Sequence, residues 1–201
     1  METVEYDPNA WQRLGDKFTN NYEQGMLGFR HAIIDKICML QGYRSSLLEM
    51  ACADGWFIQQ LRRRHYRGKY LGVDITPGLI QRARDNCPHE EFKVMDARNM
   101  MGHVENESHD FVLCAGLLMH LDDPENAIFE ACRVSSKYVM LSTYGKYGGM
   151  VTTPDVEHGF VNNYYNLEVI QEMVPTAFNL IEFKAFPRSA WYMFQFLYER
   201  D

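Results

Sequence analysis

The sequence predicts an α/β fold with a mostly parallel sheet, helices on both faces and an antiparallel pair of strands at the C-terminus. Short apolar runs alternate with segments whose apolar residues recur at helical spacing, and this alternation is typical of βαβ units. Three of the runs end on an acidic residue, namely Glu49, Asp74 or Asp96. The two C-terminal runs have no helical segment between them, and the length of 201 residues fits one domain.

The first 41 residues predict a helical cover. Asp7-Pro8 is a helix start, because proline suits the first turn. A first helix then carries Trp11, Leu14, Phe18 and Tyr22, and after Gly25 and Gly28 a second helix carries Phe29, Ile33, Ile34 and Ile37.

The stretch from Leu47 to Leu61 predicts a strand, a tight turn and an amphipathic helix. The apolar run ends on Glu49, and small or turn-forming residues follow: Ala51, Cys52, Ala53, Asp54 and Gly55. Apolar residues then return at helical spacing. A turn with so little side chain lets a ligand approach the backbone, and the helix behind it presents free N–H groups. A plain strand–turn–helix without a ligand remains the alternative.

Four further strands are predicted, at Tyr70–Asp74, Phe92–Asp96, Asp110–Ala115 and Lys137–Thr143. Thr76-Pro77 predicts the start of a helix that runs to Cys87, and Asp123-Pro124 repeats the same cap-and-proline signal. In a parallel sheet the carboxyl ends of the strands meet at one edge, where open α/β sheets bind ligands.

The pattern lapses between Gly145 and Asn166, where glycines, aromatic residues and polar residues mix. A long irregular segment inside a compact domain is usually a lid or binding loop, so we expect residues 145–166 to contact a ligand. Asn166 then predicts the N-cap of a helix to Val174, followed by two closing strands at 177–186 and 190–199.

The predicted turn resembles motif I of the class I S-adenosylmethionine (SAM)-dependent methyltransferases, which reads acidic residue, any residue, Gly-Cys-Gly-x-Gly. Glu49, Cys52 and Gly55 match, whereas Ala51 and Ala53 stand where the family has glycine. The competing dinucleotide fingerprint G-x-G-x-x-G is missing, which disfavours an NAD-dependent oxidoreductase. The resemblance is to the small-molecule methyltransferases whose domains are called methyltransferase domain 11, 12 or 25. It spans Trp11 to Tyr198. It implies a Rossmann-like, seven-stranded sheet.

The resemblance also implies SAM as the cofactor and assigns its contacts. Glu49 and the turn lie beside the cofactor, the acid of the second strand takes the ribose hydroxyls, and the acid of the third binds the adenine amino group. The residues so implied are Glu49, Ala51, Cys52, Ala53, Gly55, Asp74, Ile75, Asp96, Ala97, Ala115, Gly116 and, from the N-terminal cover, Tyr22. Trp11 and Phe18 are expected to pack on the sheet.

The acceptor is expected to be a small molecule. Methyltransferases that act on nucleic-acid bases often carry Asn/Asp-Pro-Pro-aromatic after the fourth strand, but Gly116–His120 stands here, and the net charge is −7. The run Leu118–Pro124 resembles one common in small-molecule methyltransferases. His120 is a candidate general base, and the alternative is that it caps or packs the turn before Asp122-Asp123-Pro124.

An oxygen acceptor, either a hydroxyl or a carboxylate- or phosphonate-like group, is the first hypothesis, with a nitrogen acceptor as the alternative. A methyltransferase-like domain that only binds SAM or a partner is the alternative of a different class. The candidate substrate-binding residues are Tyr144, Lys146, Tyr147, His158, Tyr164, Tyr165 and Arg188.

The five cysteines are scattered without metal-ligand spacing, which fits reduced thiols in a cytoplasmic protein and no metal. The polar, acidic N-terminus does not resemble a signal peptide, and no apolar stretch approaches membrane-spanning length. The domain is predicted as one unit of residues 1–201, divided into the cover (1–41), the cofactor-binding core (45–144), the lid or substrate segment (145–166) and the closing helix and strands (167–201).

Overall fold

A computed structural model of the protein describes residues 27–41, 44–121, 123–148, 151–155, 160–188 and 192–201. Within this part of the chain, nine strands join in one sheet. The helices are α1 (Leu27–Gln41), α2 (Trp56–Arg63), α3 (Pro77–Asn86), α4 (Glu125–Val134) and α5 (Leu167–Met173), with a short 3-10 helix at Leu118–His120. The strands are β1 (Leu47–Met50), β2 (Tyr70–Asp74), β3 (Glu91–Val94), β4 (His109–Ala115), β5 (Ser135–Gly145), β6 (Val151–Asp155), β7 (Phe160–Tyr165), β8 (Phe178–Pro187) and β9 (Tyr192–Arg200).

Seven of these strands form the predicted core sheet, in the order β3-β2-β1-β4-β5-β9-β8. The first five run parallel to one another, while β9 is antiparallel to both β5 and β8. The predicted α/β fold, with a mostly parallel seven-stranded sheet and an antiparallel C-terminal pair, is confirmed.

Two buried clusters cover the two faces of the sheet, because successive strand residues point to opposite faces. On one face Leu47 and Phe111 pack with Ile34 of α1 and Ile58 of α2. The opposite face joins residues of β1, β4, α4 and α5, among them Leu48, Val112, Ile128 and Ile170. The apolar residues that predicted α1, Phe29, Ile33, Ile34 and Ile37, are all buried.

The segment after β5 differs from the prediction, which left residues 145–166 irregular. Here β6 and β7 form an antiparallel hairpin, with Val151 opposite Tyr164 and Asp155 opposite Phe160. Their β-branched and aromatic residues suit strands. Within the described residues, the hairpin pairs with the core sheet at two positions, where Tyr144 and Gly145 of β5 pair with Tyr164 and Tyr165.

The hairpin lies over the carboxyl end of β4. One edge of β5 pairs with β4 as far as Ser142, and the other edge pairs with β9 as far as Gly145. Since β9 occupies that second edge, β7 must lie on the first, immediately beyond the last residue of β4.

Some of the predicted helix starts agree with the structure and others do not. The Asn166 side chain accepts a hydrogen bond from the Val169 N–H at 2.9 Å, so the predicted N-cap of α5 is confirmed. Thr76 precedes α3 as predicted, but its hydroxyl makes no capping hydrogen bond. Gly28, expected to interrupt, lies inside α1. No helix in the described part of the chain is long and apolar enough to cross a membrane.

Candidate cofactor site

The turn between β1 and α2 has an unusual backbone. Ala51 and Ala53 adopt φ angles of 57° and 50°, and Gly55 adopts 80°. These angles belong to the left-handed region, which glycine enters freely and alanine enters only at a cost. The two alanines therefore keep the backbone conformation that glycine favours while adding one methyl group each.

Asp74, at the end of β2, holds this turn. Its carboxylate accepts hydrogen bonds from the Ala53 N–H at 3.0 Å and from the Thr76 N–H at 2.9 Å. Burial raises the pKa of Asp74, and these two backbone hydrogen bonds act in the opposite direction. Asp74 is thus a buried acid that ties two loops together, and its contact with ribose hydroxyls stays a prediction.

Glu49, at the end of β1, is also buried, with 2% of its surface exposed. The Tyr70 hydroxyl donates to its carboxylate at 2.5 Å. Burial raises the pKa of Glu49 to about 8, while the Tyr70 hydrogen bond and the positive charge of Arg30 act to lower it. The negative charges of Asp54 and Asp74 raise it further.

Asp96 follows β3 and lies at the same end of the sheet as the turn, because β3, β2 and β1 are adjacent and parallel. The Arg98 guanidinium donates to both of its carboxylate oxygens, the shortest contact being 2.7 Å. Burial acts to raise the pKa of Asp96, but the hydrogen bonds from Arg98 outweigh it, so the pKa is lowered. The adenine contact predicted for Asp96 stays a prediction, as do those of Ile75, which is half-buried, and Ala97, which is buried.

At the end of β4, Ala115 and Gly116 are half-buried, and Gly116 has a φ of 79°. The Gly116 N–H donates to the Ser142 hydroxyl of β5 at 3.1 Å. The 3-10 helix that follows delivers His120, which is 7% exposed.

The His120 ring is held on two sides. Its Nδ1 lies 3.2 Å from the Val161 carbonyl oxygen of β7, and its ring lies edge-on to Tyr144 with centroids 5.9 Å apart. Because a carbonyl oxygen only accepts, Nδ1 carries the proton in this contact, and in the neutral ring Nε2 then has the basic lone pair. Tyr144 in turn stacks on Tyr164 at 5.3 Å.

Buried polar contacts fix the hairpin on the 3-10 helix. The Asn163 amide donates to the Leu121 carbonyl at 2.8 Å and accepts from the Thr152 hydroxyl at 2.6 Å. The Tyr165 hydroxyl lies 3.3 Å from the Leu118 carbonyl. Sequence reasoning missed Asn163, Thr152 and Ser142, because only the strand pairing brings their partners near.

The predicted substrate-binding residues do not form one group. Tyr144 lies beside His120 and Tyr164 stacks on Tyr144, whereas Tyr165 is a core residue with 1% exposure, and its contact with the acceptor stays a prediction. Tyr147 is exposed and packs its edge on Tyr192 of β9 at 5.0 Å. Lys146 is exposed, and Arg188 is half-buried directly after β8.

Tyr22 and His158 lie outside the described residues, as do the other residues of the first predicted helix. Among the residues that the structure does describe, no three His, Cys, Asp or Glu side chains gather into a group that could hold a metal ion.

The cofactor half of the chain matches a known family. Residues 48–141 match the family described as "Methyltransferase domain". These residues are a class I, SAM-dependent methyltransferase domain. The domain includes every predicted cofactor residue except Tyr22, together with His120, whereas every predicted substrate-binding residue lies beyond residue 141.

Relatives of the domain agree with this assignment. The malonyl-[acyl-carrier protein] O-methyltransferase of Hahella chejuensis is 29% identical over 97 residues, which cover 47% of this chain and 34% of that protein. The chain therefore spans about a third of the length of this curated relative.

Solved structures share the fold across nearly the whole chain. The magnesium protoporphyrin IX methyltransferase of Synechocystis PCC 6803 with bound SAM has a TM-score of 0.71 at 13% identity, covering 99% of this chain and 100% of that one. The 1,6-didemethyltoxoflavin-N1-methyltransferase of Burkholderia thailandensis, with its substrate and S-adenosylhomocysteine (SAH), has a TM-score of 0.69 at 13% identity, covering 100% and 93%.

Proposed function

We propose that this chain transfers the methyl group of SAM to a small-molecule acceptor, and that the acceptor atom is oxygen. The observation that carries the proposal is the turn of residues 51–55, whose two alanines hold left-handed φ angles beside two buried acids, Glu49 and Asp74. That backbone is costly for alanine and is kept nonetheless, as expected of a ligand-binding turn.

The residues present fit a cationic cofactor. The carboxyl groups of Asp54 and Asp74 act on Glu49 at the turn, and Arg30 contributes the opposing positive charge. SAM carries a sulfonium and an α-ammonium group, and it supplies an activated methyl group when bound. Glu49, Ala53, Gly55 and Asp74 would hold it, with Asp96 and Ala97 toward the adenine.

The acceptor would lie between the turn and the hairpin. Methyl transfer is an in-line displacement, so the chain must place the acceptor atom opposite the sulfur and exclude water. His120, Tyr144 and Tyr164 form a contiguous aromatic group beyond the end of β4, on the side where the hairpin lies. We assign this group to acceptor placement.

The role of His120 depends on the acceptor. If the acceptor is a hydroxyl, Nε2 of His120 is the atom that takes its proton, because Nδ1 is engaged with Val161. A carboxylate acceptor arrives ionised and needs placement only. The O-methyltransferase from Hahella chejuensis supports oxygen, while the N1-methyltransferase from Burkholderia thailandensis keeps a nitrogen acceptor as the alternative.

The first test is calorimetry with SAM and SAH, followed by a product assay with labelled SAM and pooled metabolites. Binding of one molecule per chain and a labelled product support the proposal. SAM binding without any labelled product would favour a domain that only binds SAM, and the absence of heat with both ligands would refute cofactor binding.

The second test is His120→Asn with the identified acceptor. Loss of a general base costs roughly 10²–10⁴ in turnover, with SAM affinity preserved and the acidic limb of the pH profile missing. A small loss, or a loss that follows a lower melting temperature, would make His120 structural and point to a carboxylate-like acceptor.

A further inference from the structure

Tyr70 and Glu49 form a buried pair on neighbouring strands. Register places Glu49 of β1 opposite Gly72 of β2, and Tyr70 lies two residues before Gly72 on the same face. The Tyr70 hydroxyl thus reaches the Glu49 carboxyl diagonally, at 2.5 Å. The Tyr70 ring is fixed from the other side by Phe92, edge-on with centroids 5.7 Å apart.

Gly72 makes this contact possible. A Cβ atom at Gly72 would lie 2.8 Å from the Tyr70 hydroxyl oxygen, 2.7 Å from the Phe92 ring and 2.9 Å from the Cys52 sulfur. These distances are shorter than van der Waals contact, so a side chain at this position would force Tyr70, Phe92 or Cys52 to move. The same distances show that the pair adjoins Cys52, in the middle of the turn.

Among the described residues, more negative than positive groups act on the pair. From α1, Arg30 favours an ionised Glu49, while Asp54 of the turn and Asp74 of β2 oppose it. Ionisation of Cys52 or Tyr70 itself would oppose it too, and Cys87 at the end of α3 acts on Tyr70. A cation bound at the turn would add positive charge and favour the carboxylate.

We infer that binding of a cationic cofactor at the turn releases a proton from Glu49 to solvent, and that Tyr70 is the positioning residue that holds the resulting carboxylate. This inference rests on the proposed function, because SAM is the cation. The Glu49 O–H bond breaks, the proton passes to the buffer, and the carboxylate remains with the Tyr70 hydroxyl as its donor.

The pH dependence follows from the sign of the linkage. Without ligand, burial keeps the pKa of Glu49 near 8, so the carboxyl is protonated at neutral pH. The proton must leave for the charged form to meet the cation. SAM affinity therefore falls roughly tenfold for each pH unit below 8 and levels off above it.

The experiment is calorimetry of SAM binding in two buffers of different ionisation enthalpy, at pH 6, 7 and 9. The buffer-dependent part of the heat gives the protons released. The wild-type protein should release close to one more proton per SAM at pH 7 than Glu49→Gln, and the two should agree at pH 9. Subtracting Glu49→Gln removes protons that come from SAM itself.

Tyr70→Phe tests the positioning role, since it removes the hydroxyl and keeps the ring that packs on Phe92. Because the Tyr70 hydrogen bond favours the carboxylate, the variant should bind SAM several-fold more weakly at pH 7, while its proton release extends to higher pH. A merely structural role would lower stability without moving that pH profile. Tyr66→Phe is the matched control, because Tyr66 is a buried tyrosine of the same cluster whose hydroxyl also donates to an oxygen, the Ser45 carbonyl.

Equal proton release by the wild type and Glu49→Gln at pH 7, with SAM bound in both, would overturn the inference. An unshifted profile in Tyr70→Phe would overturn the role of Tyr70. Failure of the proposed function gives a different result, because no binding heat would then appear at any pH.

Discussion

Replacing Ala51 or Ala53 by glycine should stabilise the protein, although glycine substitutions usually destabilise. Both alanines hold φ angles near 50–57°. A non-glycine residue in this region costs roughly 1–2 kcal/mol. Glycine removes that strain but makes the unfolded chain more flexible, which costs about 0.4–1 kcal/mol. The net gain is about 0.5–1 kcal/mol for each substitution.

Thermal unfolding monitored by circular dichroism measures the effect. A gain of that size raises the melting temperature by about 1–4 °C in a protein of this length. His65→Gly is the positive control, because His65 is exposed and has a φ of 64°. Ala32→Gly is the negative control, because Ala32 lies inside α1, where glycine costs about 1 kcal/mol.

A melting temperature that falls in Ala51→Gly and Ala53→Gly, as it should in Ala32→Gly, would refute the left-handed turn. SAM affinity adds a second readout. If the alanines already shape the turn, the double variant should bind within about two- to fivefold of the wild type, the cost of the more flexible loop. If only the double variant bound SAM, the two alanine methyl groups would be blocking the site in the wild type. That result would favour a methyltransferase-like domain that binds a partner.

Five substitutions of buried residues give the remaining predictions. Tyr198→Phe should stabilise by about 1–3 kcal/mol, because within the described residues the buried Tyr198 hydroxyl has no hydrogen-bond partner; Tyr66→Phe, which loses a bond to a backbone carbonyl, should destabilise in the same melting assay. Asp74→Asn should weaken SAM binding by about 1.5–3 kcal/mol in calorimetry and also lower the melting temperature, because one amide oxygen cannot replace the two carboxylate oxygens that accept hydrogen bonds. An unchanged SAM affinity would remove Asp74 from the cofactor site. Asn163→Leu should leave SAM affinity intact, lower turnover and expose the hairpin to limited proteolysis; an equal loss of binding and turnover would contradict the separation of the two halves. Glu49→Gln should gain stability over the wild type as pH rises from about 4.5 to 8, because the folded protein holds the Glu49 proton more tightly than the unfolded chain, and parallel urea titrations across that range would contradict the raised pKa.

The core sheet could be predicted because its signals are local. Strands β1, β2 and β4 each contain a short apolar run, and the acids Glu49, Asp74 and Asp96 mark where β1 to β3 end or turn. Parallel pairing then places these acids at one edge without any further information.

The pairs that shape the site could not be predicted in the same way. Tyr70 reaches Glu49 only because β1 and β2 pair in one particular register and Gly72 leaves room. A shift of one residue would send Tyr70 to the other face of the sheet. Such a register is set by packing along the whole strand rather than by the residues near the site.

The hairpin was missed for a related reason. Within the described residues, its two strands pair with each other at five positions, whereas β7 pairs with β5 at two. Their sequence therefore reflects the local hairpin more than the core sheet. The Val161 carbonyl contacts His120 of the 3-10 helix, and the Asn163 side chain donates to the carbonyl of Leu121, the next residue. These contacts depend on where the hairpin lies.

The position of the hairpin also bears on how acceptor and cofactor are brought together. Since β7 follows on the β5 edge where β4 stops, the proposed acceptor side and the proposed cofactor side belong to one continuous sheet. The 3-10 helix lies between them, and His120, Leu121 and Leu118 each contact the hairpin through a polar atom. A hairpin fixed by three such contacts, two of them in buried surroundings, is better suited to act as a wall than as a lid that opens in each cycle. Selectivity for the acceptor would then reside in the side chains that this wall presents, above all Tyr144 and Tyr164, and the cofactor turn could stay unchanged while those side chains vary.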